Sequence, residues 1–126
     1  EIYDNFTIII IVKDLATSSL SSEITITIDI TDINDNTPMF NNTDYQFTAM
    51  ENSTIGTYVG IVYANESDEG NNQLIQYVFI GDVPFSVNGT TGIITVNSAL
   101  DRETTPIYSS PIEASDAGLD RKTGTS

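Results

Sequence analysis

In 126 residues, 18 Asp and Glu stand against 4 Lys and Arg, a formal charge of -14, and neither Cys nor His occurs. Such a chain repels a nucleic-acid backbone and offers no thiolate or imidazole to zinc, copper or iron. Its carboxylate and carbonyl oxygens suit a hard cation instead, Ca2+ before Mg2+.

The first predicted strand, residues 6–14, holds the longest apolar run, "IIIIV" at 8–12. That run is of strand length, far short of the roughly 18 residues a membrane helix needs. No basic-then-apolar leader opens the chain, which therefore reads as an excerpt of something longer. The next strand, 23–31, alternates cleanly: Ile24, Ile26, Ile28 and Ile30 fall on one face and Thr25, Thr27 and Asp29 on the other.

After it comes "DINDNTPMF" at 32–40, where Asp32, Asn34, Asp35 and Asn36 crowd together and the acidic groups repel unless a cation sits among them. Five extended residues span about 16 Å, whereas Ca2+ takes oxygens at about 2.3–2.6 Å, so no single ion uses the whole run. Alternation sends Asp32, Asn34 and Asn36 to one side and Asp35 to the other, so that side chains and carbonyls serve successive ions. Pro38 fixes its own φ and biases Thr37 to extended geometry, keeping the stretch open to ligands. An EF-hand is excluded: Asp32, Asn34 and Asn36 match its positions one, three and five, but Thr37 stands where Gly is required and Thr43 where Glu is required.

Further strands are predicted at 45–50, 57–64, 74–80, 85–88, 93–96 and 107–114, divided by turn signals such as "DEGNN" and "NGTTG". Many short strands with no helical period indicate a sandwich. A shift of 102 residues lays Glu1 on Glu103, Phe6 on Tyr108, Ile10 on Ile112, Val12 on Ala114 and Asp14 on Asp116, the period of one immunoglobulin-sized domain. Residues 1–31 are then the last two strands of one repeat, 32–37 a linker, and 38–126 most of the next repeat, lacking its last strand. The acidic groups collect at strand ends: Glu1 and Asp14 in the first repeat, then Glu51, Glu66 and Asp68 with Asn72, Asp101 and Glu103, and Asp116. An Asp or Asn in a turn is more often a cap than a ligand, so the weight rests on the joint pattern.

That pattern resembles the extracellular repeats of cadherins through nearly the whole chain. "DINDNTPMF" is similar to the inter-repeat linker, "MEN" to the first-strand Glu motif, "ANESDEGNN" to the acidic loop, and "LDRE" and "EASDAG" complete the set in the family's order. The resemblance implies an all-β, immunoglobulin-like Greek-key β-sandwich with Ca2+ at each junction. Carried over by position, Glu1, Asp32, Asp35 and the Ile33 carbonyl would hold ions nearer the first repeat. Asn34, the Asn36 carbonyl, Glu66, Asp68, the Asn72 carbonyl and Asp116 would hold the ion on the second, with Asp68 bridging. Glu51, Asp101 and Glu103 would serve the next junction. Two departures stand out: Glu66 where the family usually has Asp, and "SSPI" at 109–112, where Ser110 replaces an apolar residue and Pro111 removes a ladder donor from a strand expected to be interior.

The implied function is calcium-dependent, homophilic or heterophilic adhesion with other cadherin ectodomains at the cell surface, in a protein anchored to the membrane through parts outside this sequence. The alternative is a calcium-stiffened spacer with no partner surface of its own. No Trp is present, so the tryptophan exchange by which some family members pair cannot come from this chain. An enzyme would have to use Asp101 and Glu103 as acid and base, yet no nucleophile, cofactor loop or aromatic substrate cleft accompanies them. Neither a nucleic-acid nor a small-molecule substrate is expected. Asn5, Asn41, Asn52, Asn65 and Asn88 each begin an N-x-S/T triplet, as an extracellular glycoprotein surface would. Asn65, beside Glu66, is expected to be empty.

Overall fold

The computed structural model describes residues 5–126. The chain divides into two compact units, Glu1–Asp32 and Ile33–Ser126. In the first, β1 (Asn5–Lys13) and β2 (Ser21–Asp29) form an antiparallel hairpin with a continuous register from Asn5 opposite Asp29 to Lys13 opposite Ser21. The alternation read from the sequence puts Ile24, Ile26 and Ile28 across from Ile10, Ile8 and Phe6, three apolar pairs on one face.

The second unit is built from β3 (Met39–Phe40), β4 (Tyr58–Ile61), β5 (Ala64–Asn65), a 3-10 turn (Gly70–Gln73), β6 (Gln76–Phe79), β7 (Phe85–Val87), β8 (Ile93–Val96), β9 (Ile112–Ser115) and β10 (Thr123–Thr125). One sheet runs β10-β9-β6 and another β4-β8-β7, both antiparallel, with β3 paired to β5. Val62, Ala64, Tyr77, Ile94, Ile112 and Ala114 form the core, flanked by Phe40, Tyr45, Phe79, Phe85 and others. Residues of both larger sheets therefore meet in one apolar layer, a sandwich as the many short strands predict and of the immunoglobulin-like type that the resemblance implies. Tyr77 is buried, and its hydroxyl oxygen accepts the Ala64 N–H at 2.9 Å. No helix among the described residues is long and apolar enough to cross a membrane.

The strands depart from expectation where backbone donors are missing or diverted. Residues 45–50 form no ladder; instead the Tyr45 hydroxyl donates to the Tyr63 carbonyl at 3.0 Å and accepts the Tyr63 N–H at 3.3 Å, so a side chain does what a neighbouring strand would do. Phe47 stacks on Tyr45 at 6.1 Å and lies against Gly60, where any Cβ would collide with its ring. The predicted strand 57–64 is split into β4 and β5, which change partner, β4 pairing with β8 and β5 with β3. The one predicted at 107–114 begins only at Ile112. Pro111 has no N–H to give, and the Ser110 hydroxyl supplies the missing donor to the Ile80 carbonyl at 2.8 Å.

A short strand, β10, which the sequence patterning did not single out, pairs with β9: Thr123 opposite Ser115, Gly124 opposite Ala114, Thr125 opposite Glu113. Shifted back by 102 residues these are Ser21 opposite Lys13, Ser22 opposite Val12 and Glu23 opposite Ile11, all pairs of the first hairpin. The internal repeat is thus reproduced in hydrogen-bond register.

Replacing Tyr77 with Phe leaves the buried Ala64 N–H without its acceptor. The expected loss is about 1–3 kcal/mol of unfolding free energy, read from urea denaturation. An unchanged midpoint would mean that this bond does not hold β5 to the core.

Candidate metal centre

Two turns of the second unit carry buried carboxylates. In the loop after β5, Glu66 folds back so that its Oε1 accepts the N–H groups of Ser67 at 2.7 Å and Asp68 at 3.4 Å. Asp68 is 0% exposed and Asp116, which follows β9, is 1% exposed. Asp116 organises its own turn: Oδ1 accepts the Gly118 N–H at 2.9 Å, Oδ2 the Lys122 N–H at 2.9 Å, and its backbone N–H reaches the Lys122 carbonyl at 3.2 Å. Asp14 does the same one repeat earlier, its Oδ1 accepting from Ala16 at 3.3 Å and Leu20 at 3.1 Å. An aspartate at this place is therefore needed by the turn itself, whatever else it binds.

The linker lies against both turns through its alternate residues. The Asn36 backbone N–H donates to Asp68 Oδ2 at 3.1 Å, and its side-chain amide donates to Asp68 Oδ1. Asn34 Nδ2 donates to Asp116 Oδ1 at 3.1 Å and to the Asp120 carbonyl at 3.0 Å. Asn34 and Asn36 are accordingly half-buried while Ile33, Asp35 and Thr37 are exposed, and Pro38 is buried behind them. The approach is close: a Cβ on Gly118 would collide with the Asn34 amide and lie 2.6 Å from Asn72 Oδ1. Asp35 faces outward, with Oδ1 accepting from Asn36 Nδ2 at 2.9 Å and its N–H returning to the Ile33 carbonyl at 2.8 Å.

Electrostatically this arrangement is acceptor-rich. Arg102 is paired with Glu103 at 3.4 Å in an exposed ion pair, and among the described residues no ion pair falls on Asp68 or Asp116. Asp68 and Asp116 are thus buried with no cationic side chain on them, a situation that costs several kcal/mol per charge, in order of magnitude, unless compensated. Asn34 Oδ1 and Glu66 Oε2 are also buried, and no donor reaches them. Three N–H donors from the linker do for the aspartates part of what a cation would do, and leave these two acceptors over. A donor set of oxygens with no sulfur or imidazole, carrying unmet acceptors, fits Ca2+. Glu66, Asp68 and Asp116 do not themselves converge on a point. The linker amides lie between them.

The tight carboxylate cluster is elsewhere. Oxygens of Glu51, Asp101 and Glu103 lie within 4.8 Å of one another, all exposed. Glu51 Oε2 accepts the Arg102 N–H at 3.3 Å, joining "MEN" to "LDRE". Asp101 Oδ1 accepts the N–H groups of Glu103 at 3.0 Å and Thr104 at 3.3 Å, and Oδ2 the Thr104 hydroxyl at 2.7 Å. The Thr104 hydroxyl, and after it the Thr104 N–H, hold the Asp101 carboxyl below its ordinary range.

Of the expected ligands, then, Asn34, Asn36, Glu66, Asp68, Asn72 and Asp116 gather around the linker, and Glu51, Asp101 and Glu103 form the second group. Glu1 lies outside the described residues, and Asp32 closes the first unit. Gly118, the Asp120 carbonyl and Thr104 are structural members that the sequence reading did not name. Gly118 had a signal, the glycine of "EASDAG" two residues after the aspartate; a carbonyl such as that of Asp120 leaves none.

Residues 45–126 match the family model described as the cadherin domain. The chain is 36% identical over 125 residues to human Protocadherin Fat 4, covering 97% of this chain and 2% of that protein. It is 40% identical over 112 residues to the Cadherin EGF LAG seven-pass G-type receptor fmi-1 of Caenorhabditis elegans, covering 89% and 4%. Among solved structures, mouse clustered PcdhgC3 EC1-3 superposes with a TM-score of 0.81 at 30% identity, covering 96% of this chain and 41% of that one. Mouse Cadherin-23 EC22-24 gives 0.77 at 34% identity, covering 98% and 40%. The chain spans only a few per cent of the length of these curated relatives.

Because Asp101 is lowered in the folded chain, the ionised carboxylate stabilises its turn above the ordinary carboxylate range of about 4, and this contribution is lost as pH falls through the lower folded value. Thr104→Val removes the largest cause. In calcium-free solution the Asp101 pKa is expected to rise toward the ordinary value, followed by NMR of the side-chain carboxyl carbon. No change would mean that the hydroxyl does not bond to the carboxylate.

Proposed function

Since this chain belongs to the cadherin family, we propose that it is a calcium-stiffened extracellular repeat of a cell-surface adhesion protein. As a cadherin repeat it is not an enzyme. One observation carries the calcium reading: buried Asp68 and Asp116 with no cationic side chain, beside the unmet acceptors of Asn34 and Glu66. Asn34, the Asn36 carbonyl, Glu66, Asp68, the Asn72 carbonyl and Asp116 would hold one ion. Glu1, Asp32, Asp35 and the Ile33 carbonyl would serve ions on the first-repeat side, and Glu51, Asp101 and Glu103 a further site. Bound Ca2+ supplies the positive charge these oxygens lack and ties linker to loops. Asn34 and Asn36, already docked on the two turns, set the linker's direction, and Pro38 limits its freedom.

Extracellular modules bind with dissociation constants of about 0.1–1 mM, so at about 1 mM Ca2+ one site adds only about 0.4–1.4 kcal/mol. Several sites acting together are needed to hold a linker straight, which is why ligands on both sides of the linker are proposed. Contact with other cadherin ectodomains, homophilic or heterophilic, is the adhesive role proposed for such a repeat. The second reading is a calcium-stiffened spacer with no partner surface of its own, built on the same sites.

Asp68→Asn keeps the size and one of the two bonds from Asn36 while removing the charge, and is expected to weaken the tightest calcium site by about tenfold in isothermal titration. Asp44→Asn, whose exposed carboxylate lies outside both clusters, is expected to leave the titration unchanged. Equal curves for the two variants would overturn the assignment.

A further inference from the structure

The calcium reading leaves the N-x-S/T triplets without a role. One of them opens the turn "NGTTG" between β7 and β8, and its geometry separates the two ends of an asparagine amide. Asn88 Oδ1 accepts the N–H groups of Thr90 at 3.0 Å and Thr91 at 2.9 Å. Backbone amides only donate, so the atom facing them must be the oxygen, and the nitrogen must face away. The Asn88 backbone is fixed too, its N–H bonded to the Ile93 carbonyl at 2.8 Å and its carbonyl to the Gly92 N–H at 2.9 Å. Asn88 and Thr90 are both exposed.

We propose that Asn88, rather than Asn65, carries an N-linked glycan. Nδ2 of Asn88 is the one polar atom of the residue that the turn does not use. A glycosylated amide keeps its oxygen, so both capping bonds survive. Asn65 is placed differently: its Nδ2 is 2.6 Å from Asn41 Oδ1, its backbone is laddered to Met39, and the next residue is Glu66 with its buried Oε2. A sugar there displaces the contact with Asn41 and crowds the loop that carries Asp68. In the transfer, Nδ2 bonds to the anomeric carbon of an oligosaccharide held on a lipid diphosphate. The bond from that carbon to the diphosphate oxygen breaks, the lipid diphosphate leaves with the electron pair, and one amide proton passes to a base of the transferase.

The inference rests on the extracellular reading, so the 126-residue chain is to be given a secretory leader and recovered from the medium of eukaryotic cells. Enzymatic deglycosylation in heavy-oxygen water marks each formerly occupied asparagine for mass spectrometry. The mark is expected at Asn88 and not at Asn65. Thr90→Ala removes the acceptor triplet but keeps the backbone N–H that Asn88 caps, and is expected to lose the mass of one glycan. Should that variant not be secreted, Asn88→Asp retains the capping oxygen and is expected to lose the same mass. An unmarked Asn88, an Asn65 marked to the same extent, or a secreted variant of undiminished mass would overturn the proposal. Because the leader is supplied, such a failure leaves the calcium reading intact, which stands or falls on the titration.

Discussion

Two aspartates sit in the wall of the second unit with no cationic side chain to neutralise them, and the linker is docked on both. Asp68 takes the backbone N–H and the side-chain amide of Asn36, and Asp116 takes the amide of Asn34. In a chain of charge -14 this is the costly place to bury carboxylates, and much of the local structure is arranged around it. The extended, alternating linker presents one asparagine to each turn, Gly118 lets the linker approach, and Pro38 is buried just behind. Amide donors reduce the electrostatic cost, but they leave Asn34 Oδ1 and Glu66 Oε2 unmet. A hard cation would satisfy carboxylates and orphaned acceptors together, so the proposed calcium binding and the linker geometry are one problem here.

Asp116 has a structural role beside the metal-binding one proposed for it. Its oxygens close a turn by accepting from Gly118 and Lys122, and Asp14 closes the corresponding turn one repeat earlier with the same spacing of two and six residues. The hairpins that follow share a register at the shift of 102 residues. Removing such an aspartate therefore tests the turn as well as the ion, whereas Asp68, whose carboxylate accepts from the linker, reports on the ion more cleanly.

Much of this was legible in the residues because period-2 alternation and turn signals act locally. "EITITIDIT" announces a strand with one apolar face, and β1 and β2 pair as that pattern requires. The failures are non-local. Nothing within 45–50 says that the Tyr45 hydroxyl will stand in for a ladder, and the end of the strand at Pro111 was foreseeable while its repair by the Ser110 hydroxyl was not. At the candidate site the acidic residues stand out in the sequence, but their spacing does not distinguish the buried Asp68 from the exposed Asp35, nor foretell that Glu66 would fold back onto its own loop. Those distinctions depend on which neighbours the fold supplies.

The most direct test of calcium at the linker is a Ca2+ titration followed by backbone amide NMR shifts from micromolar to ten millimolar, a range that brackets extracellular affinities of about 0.1–1 mM. The largest changes are expected at residues 34–36, 66–72 and 116–120, where donors now spent on carboxylates must be released. Shifts confined to Glu51, Asp101 and Glu103, or none at all, would contradict a calcium site built on Asp68 and the linker asparagines.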